Sequence, residues 1–300
     1  MSNQRSDVRK PRIAVAGATG RVGAALLSSL AADPVDIVAL TRDRQSQRLP
    51  SGPEIAVIDF DDPSTLSKAL QDADRLFLAH GTSEHQVANE IAMIDAAVAV
   101  GVSHIVKLSA LGPPTRLHPF DWHMRIEAHL ANCEVGYTVL RPSCFVDTLA
   151  RAKGPVASGT WGGTAENGLV NLVDTRDIAD VARIVLLDDQ FLDSQRAYHL
   201  TGPGPVSMPE IADELSRLLD RRVTYTRRSL AEHREVLVSS GASEMVADLL
   251  LGLDRIFREG VLAETTMTVP DLTGRKARSA ADWLLDNREG FGPTKQTTAA

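Results

Sequence analysis

Residues 13–30 constrain this chain more than any other stretch. The apolar run Ile13-Ala14-Val15-Ala16 stops at Gly17-Ala18-Thr19-Gly20-Arg21-Val22-Gly23, and a helical spacing of Val22, Leu26, Leu27 and Leu30 follows at once. A strand that ends in a glycine turn and opens straight into a helix makes an anion cradle. The first helical N–H groups lack intrahelical partners and the helix dipole is positive there, so both favour a phosphate. The glycines allow a tight turn, close approach of backbone to a pyrophosphate, and close helix–strand packing. The expectation is a dinucleotide site built from Gly17, Thr19, Gly20, Arg21, Val22 and Gly23. The spacing is G-x-x-G-x-x-G, which differs from the common G-x-G-x-x-G fingerprint.

The alternation continues downstream. Apolar runs at 12–16, 36–40, 55–58, 76–79, 105–108 and 137–140 read as strands, separated by helical patterns at 21–31, 62–70, 83–100 and 119–131. Asp62-Pro63 supplies a cap residue and a proline at the first helical position. This rhythm predicts an α/β fold, a Rossmann doubly wound parallel sheet. Beyond Arg151 the texture changes: five glycines between Gly154 and Gly168 predict a long loop and the start of a smaller, mixed α/β C-terminal substrate lobe. A helix at 174–187, a strand at 197–200, a capping box at Ser207–Glu210 before a helix to Leu219, a strand at 223–226, and helices around 229–239 and 243–258 complete the reading. The expected organisation is a nucleotide-binding domain over 11–153, with 168–200 returning to it. The substrate lobe takes 154–167 and 201–291, and 1–10 and 292–300 are expected to be disordered tails.

A net charge of -7 over 300 residues offers no basic field to nucleic acid or anionic lipid. No run approaches the roughly 20 apolar residues of a membrane span. The first ten residues are polar, unlike a secretory signal, and two cysteines, Cys133 and Cys144, suit a reducing compartment. These features predict a cytoplasmic protein, monomer or homodimer, whose partner is a small molecule rather than nucleic acid or membrane. His80, Glu84 and His85 lie close in sequence without a third ligand at a persuasive spacing, so no metal is expected. The chain has no G-x-S-x-G elbow to support a hydrolase.

In dinucleotide folds the residue ending the second strand selects the cofactor. An acid bonds the ribose 2′-OH of NAD, whereas an arginine accepts the 2′-phosphate of NADP. Here the strand ends Leu40-Thr41-Arg42-Asp43-Arg44. Arg42, with a hydroxyl from Thr41, favours NADP; Asp43 keeps NAD possible, and a solvated charged turn is the alternative to both. Arg21 adds positive charge beside the phosphates, or is a plain surface arginine.

These residues, with later landmarks, resemble the NmrA-like group of atypical short-chain dehydrogenases over almost the whole chain. Gly17–Gly23 is similar to its G-A-T-G-x-x-G, and Asp59-Phe60 followed by Ser64-Thr65-Leu66 to its third-strand signature. Ile105-Val106-Lys107-Leu108-Ser109-Ala110 resembles its fifth strand, His123 to Glu127 its H-x-x-x-E helix, and Tyr137 to Pro142 its sixth strand. Asp174 to Ala179, Leu200 to Pro203 and Leu272 to Arg275 match further landmarks. The group holds quinone reductases, iminium reductases of alkaloid pathways and non-catalytic redox sensors. The resemblance therefore implies an NADPH-dependent oxidoreductase acting on an apolar conjugated quinone, imine or enone, or else an NAD(P)-binding sensor without turnover. It implies that Asp59 and Phe60 flank the adenine and that Ala79, His80 and Gly81 line the cofactor. Ser109 and Ala110 would lie near the nicotinamide ribose, and Pro142, Ser143 and Phe145 near the nicotinamide face. Two departures stand out. The chain reads Phe145-Val146-Asp147-Thr148 where the family often has Met-Glu-Asn after the phenylalanine, and no Tyr-x-x-x-Lys pair occurs near 120–130.

Without that tyrosine, His123 is the candidate proton donor. Glu127 lies at i+4 on the same helix face, placed to raise the histidine pKa and hold the ring. A helix histidine bonded to backbone or solvent is the alternative. Lys107 either reaches the ribose or ends its strand in solvent, and Cys144 reads as a buried inert thiol. Trp122, Phe120, Phe145 and Trp161, with the loop 159–163, are expected to wall a flat apolar substrate pocket, ordinary core packing being the alternative.

Overall fold

The computed structural model describes residues 9–49, 51–112 and 120–292. In chain order, β1 (Arg12–Ala16) leads into α1 (Arg21–Leu30), then β2 (Asp36–Thr41), β3 (Glu54–Val57), α2 (Pro63–Ala69), β4 (Arg75–Leu78), α3 (Gln86–Ala99), β5 (His104–Leu108), α4 (Phe120–Leu130) and β6 (Gly136–Pro142). After a 3-10 segment come α5 (Lys153–Ala157), β7 (Gly162–Gly163), β8 (Leu169–Val170), α6 (Thr175–Leu187), β9 (Gln195–Leu200) and β10 (Val206–Ser207). The remaining elements are α7 (Met208–Leu219), β11 (Thr226–Arg227), α8 (Leu230–Ser239), α9 (Glu244–Arg258), α10 (Thr268–Thr273) and α11 (Ala280–Asn287).

Seven strands form one sheet in the order β3-β2-β1-β4-β5-β6-β9. The pairings from β3 through to β6 are parallel. A parallel sheet covered on both faces needs continuously apolar strands; Ile13, Ala14 and Val15 of β1 are fully buried accordingly. β1 pairs with β2 on one side and β4 on the other, so the strand order reverses at β1. Such a switch point opens a crevice beyond the carboxyl ends of the strands, which is where these folds hold ligands. Helix starts follow their local chemistry: the Asp62 carboxylate accepts from the Ser64 N–H at 3.1 Å, with Pro63 opening α2.

The chain forms two compact units. The first comprises the chain up to Ser109, Trp122–Leu140 and Ala179–Tyr198; the second comprises Ala110–Asp121, Arg141–Ile178 and the chain from His199 on. The second unit thus takes over at Arg141 rather than Gly154, and the returning segment is shorter than 168–200. The first core packs Ala14, Val38, Leu76, Ile94 and Ile105 with Trp122, Ile126 and Leu130 of α4. The second packs Phe120, Val146, Trp161, Leu215, Phe257, Trp283 and Phe291.

The glycine-rich stretch 154–168 departs from the expected long loop, since it carries α5 and β7. β7 exists because of distant partners: the Thr226 N–H donates to Trp161 O at 3.0 Å and the Arg228 N–H to Gly163 O at 2.9 Å. That pairing also moves the short strand expected at 223–226 to Thr226–Arg227. The Ser207–Glu210 capping box forms as read. Helices α10 and α11 were not legible from apolar spacing. Of the expected tails, 1–8 and 293–300 lie outside the described residues. Among the described residues no helix is long and apolar enough to cross a membrane.

Candidate functional site

The glycine turn is held by its own backbone. The Gly20 N–H donates to Gly17 O at 2.9 Å, and the Ala24 N–H to Gly20 O at 2.8 Å starts α1. Gly17 has φ +81°, and a Cβ there would lie 2.6 Å from Ala79 O. A Cβ on Gly23 would lie 2.2 Å from Gly17 O. Side chains are therefore excluded at both positions, and the loop after β1 lies against the end of β4. Gly20 caps α1 without a side-chain hydrogen bond, and the first turn holds no acid. The positive helix end is left open. An anion completes it.

The turn after β2 sorts the competing residues. The Thr41 hydroxyl donates to Asp43 O at 3.0 Å and accepts from the Asp43 N–H at 3.1 Å. The Asp43 carboxylate accepts from the Gln45 N–H at 2.9 Å, and Arg44 donates to Ile55 O at 3.0 Å. Thr41 and Asp43 thus shape the turn. Arg42 and Arg21 are exposed and make no hydrogen bond or ion pair with the described residues. Two guanidiniums without partners among the described residues, one opening α1 and one after β2, fit a dinucleotide that carries an additional phosphate.

Beyond β3 and β4, the Phe60 and His80 rings meet edge-on at 5.9 Å. His80 Nδ1 lies 2.6 Å from Gly81 O, and its Nε2 lies 3.0 Å from Asn89 Nδ2, so the ring is held from both sides. The Asp59 carboxylate accepts from the Asp61 N–H at 3.0 Å. The tertiary fold thus joins two of the positions read as lining the cofactor, Phe60 and His80.

At the carboxyl end of β5 the polar groups are buried. Lys107 is not solvated; its side chain and that of Glu90 are both 0% exposed and pair at 2.8 Å. Glu90 Oε1 also accepts from Gln86 Nε2 at 2.9 Å. Lys107 Nζ donates to Leu108 O and lies 3.2 Å from Nδ1 of His123 on α4. The Ser109 hydroxyl donates to Glu127. Burial, and then the Lys107 cation, lower the His123 pKa from its usual 6.5 to about 2. This corrects the expectation that Glu127 raises it. Burial is the larger cause, and the charge that adds to it comes from β5 and is positive. A neutral ring is not an acid of the imidazolium kind, but its remaining N–H is still a hydrogen-bond donor.

In the second unit, Leu111 N–H donates to Pro142 O at 2.7 Å, and Phe145 forms a bridge with Val173. Ser143 Oγ and Asp147 Oδ2 are buried without a hydrogen-bond partner among the described residues. Burial pushes the Cys144 thiol up to about 11, so it stays protonated. Trp161 packs edge-on to Tyr225 at 5.2 Å within the second core. Trp122, on the α4 stripe with Ile126 and Leu130, is 8% exposed in the first core. For both tryptophans the structure shows the core packing that was the alternative to a pocket wall.

The NmrA-like family matches residues 9–255 of this sequence. The chain belongs to that family. This NmrA-like chain is 31% identical to a (4-alkanoyl-5-oxo-2,5-dihydrofuran-3-yl)methyl phosphate reductase of Streptomyces griseus over 286 residues, 94% of this chain and 99% of that protein. It is 29% identical to an NAD(P)H azoreductase of Xenophilus azovorans over 285 residues, 93% of this chain and 99% of that protein. Its fold matches that of the NADPH-dependent quinone oxidoreductase of Escherichia coli complexed with NADPH, with a TM-score of 0.82, 26% identity, and 91% and 98% of the two chains covered.

Sequence reasoning missed two groupings in this NmrA-like protein. Glu90 carried no motif and sits mid-helix; only the place of Lys107 inside β5, a strand buried continuously from His104 to Lys107, hinted that it needed a carboxylate partner. The second is on the surface of the first unit, where Asp95, His129 and Cys133 bring ligand atoms within 4.8 Å of one another. His129 Nε2 lies 2.6 Å from Asp95 Oδ1 there, a hydrogen bond that joins α3 and α4.

Proposed function

We propose that this NmrA-like protein is an NADPH-dependent reductase that passes hydride to an apolar conjugated small molecule of the quinone, azo, imine or enone class. The observation that carries this reading is the open, acid-free N-terminus of α1 behind the Gly17–Gly23 cradle, with Arg21 in its first turn and Arg42 after β2, both without partners among the described residues. The relatives named as NAD(P)H azoreductase and NADPH-dependent quinone oxidoreductase support it.

When bound, a reduced nicotinamide supplies the hydride. The chain's own residues do the rest. The N–H groups of Thr19, Arg21 and Val22 and the α1 dipole hold the pyrophosphate, while the Gly20 N–H closes the turn onto Gly17 O, and Arg42 with Arg21 holds the 2′-phosphate. Phe60 and His80 flank the adenine side. His123 is the hydrogen-bond donor to the acceptor's heteroatom, and it acts as a neutral imidazole. Conjugated acceptors spread the charge that develops on reduction and so need no strong acid at the first step. The absence of a Tyr-x-x-x-Lys pair near 120–130 accords with such substrates.

The test is NADPH oxidation, followed by its near-ultraviolet absorbance, against a panel of quinones, azo dyes and cyclic imines. Turnover with one of these classes is the expected result. NADPH binding without turnover on any of them would overturn the enzyme reading in favour of a redox-sensing protein.

A further inference from the structure

A lysine and a glutamate buried together are costly to desolvate, and an apolar pair of similar volume is often as stable or more so. Stability alone therefore gives little reason for the Lys107–Glu90 pair, both of whose side chains are 0% exposed. Its geometry gives a better one. An ammonium has three N–H donors and no acceptor. Lys107 Nζ has three neighbours: Glu90 Oε2 at 2.8 Å, Leu108 O, and His123 Nδ1 at 3.2 Å. A carboxylate and a carbonyl only accept. The Glu90 contact is an ion pair without hydrogen-bond geometry, so the two hydrogen bonds of the ammonium go to Leu108 O and to Nδ1. A group with no acceptor can only donate to Nδ1, which must then be unprotonated, so the ring proton resides on Nε2. Gln86 anchors the other end, donating to Glu90 Oε1 at 2.9 Å, so the ammonium is held from α3 while it orients a ring on α4.

We propose that Lys107 is the positioning residue of this site, donating to His123 Nδ1 and fixing the imidazole as the neutral Nε2–H tautomer that faces the acceptor as a hydrogen-bond donor. Glu90 pairs with Lys107 and aims it, and Gln86 keeps Glu90 in place. The part played toward the acceptor rests on the reading of His123 given above; the tautomer does not. Reduction of a conjugated acceptor adds a hydride to one atom and leaves electron density on its heteroatom. The Nε2–H bond stabilises that density without the imidazole changing charge, and the proton that completes the product comes from water.

The experiment is nitrogen-15 NMR of the full chain labelled at histidine, at neutral pH, with and without NADPH. His123 is identified by the signal lost in His123→Asn. The expected result is a protonated Nε2 and a bare Nδ1. The companion is Lys107→Met combined with Glu90→Gln, which removes both charges together and leaves no lone buried ion. In it the His123 signals should move to a mixture of tautomers, with kcat falling about tenfold while KM for NADPH stays within about twofold. A wild-type signal showing Nδ1–H would overturn the proposal, as would a double variant that retains the Nε2–H tautomer. If His123→Asn turns over normally while the tautomer behaves as described, the role assigned to His123 fails and the positioning by Lys107 stands.

Discussion

Gly17 and Ala79 are 62 residues apart in sequence, yet a single methyl group on Gly17 would come within 2.6 Å of the Ala79 carbonyl oxygen. The loop after β1 and the end of β4 are thus packed backbone to backbone, and the crevice at the switch point of the sheet begins at this contact.

Gly23→Ala should show how much depends on that packing. Its Cβ would lie 2.2 Å from Gly17 O, a backbone atom that cannot move without displacing the turn. The variant should lose about 1–3 kcal/mol of stability and bind NADPH at least about tenfold more weakly. Chemical denaturation and fluorescence titration measure the two effects. Wild-type affinity in this variant would show that the cradle does not hold the cofactor.

Cofactor choice should depend on Arg42. Thr41 and Asp43 are engaged within the turn, whereas Arg42 has no partner among the described residues. Arg42→Ala should weaken NADPH about 10- to 100-fold and NADH by less than about twofold. Titration with both dinucleotides is the measurement; an equal loss would move the 2′-phosphate contact elsewhere.

His123→Ala should lower kcat about 10- to 100-fold and leave NADPH affinity unchanged. Because burial and Lys107 lower the His123 pKa to about 2, the wild-type rate should show no limb from this residue between about pH 5 and 8. The pH profiles of kcat for wild type and variant should therefore run parallel. A limb present in the wild type and lost in the variant would mean that the imidazole titrates in this range.

Stability should fall on acidification through buried neutral histidines. Burial first, and then the Arg75 cation, lower the His104 pKa from 6.5 to about 4, with Asp193 opposing. Between those values the unfolded chain binds a proton that the folded chain refuses, so acid favours unfolding. Stability rises with pH across this window by about 1.4 kcal/mol per pH unit for each such histidine, and is independent of the group above about 6.5. His104→Gln should reduce the acid-side slope by up to that amount. Denaturation curves at several pH values compare the two proteins, and identical slopes would refute a buried neutral His104.

The cofactor cradle was legible because its chemistry is local. A strand, a glycine turn, a helix start and the Arg42 turn all lie within consecutive residues, where the types that allow close approach or exclude side chains can be read directly. The parallel sheet was legible for a similar reason: strand and helix periods differ, and β1 to β6 alternate with helices without interruption. What the chain order hides is which buried polar groups meet. Lys107 read as reaching the ribose or ending its strand in solvent, and only packing of α3 and α4 around β5 places Glu90 and His123 beside it. Trp122 and Trp161 carried the composition of a pocket wall, but the stripe of α4 and the β7–β11 pairing put them in the two cores. By itself the sequence determined the fold class and the glycine turn between β1 and α1. The tertiary structure decided the electrostatics of His123, because burial first, and then the Lys107 cation, disfavour a charged ring, and packing in space sets both, whereas sequence spacing pointed only to the carboxylate four residues away.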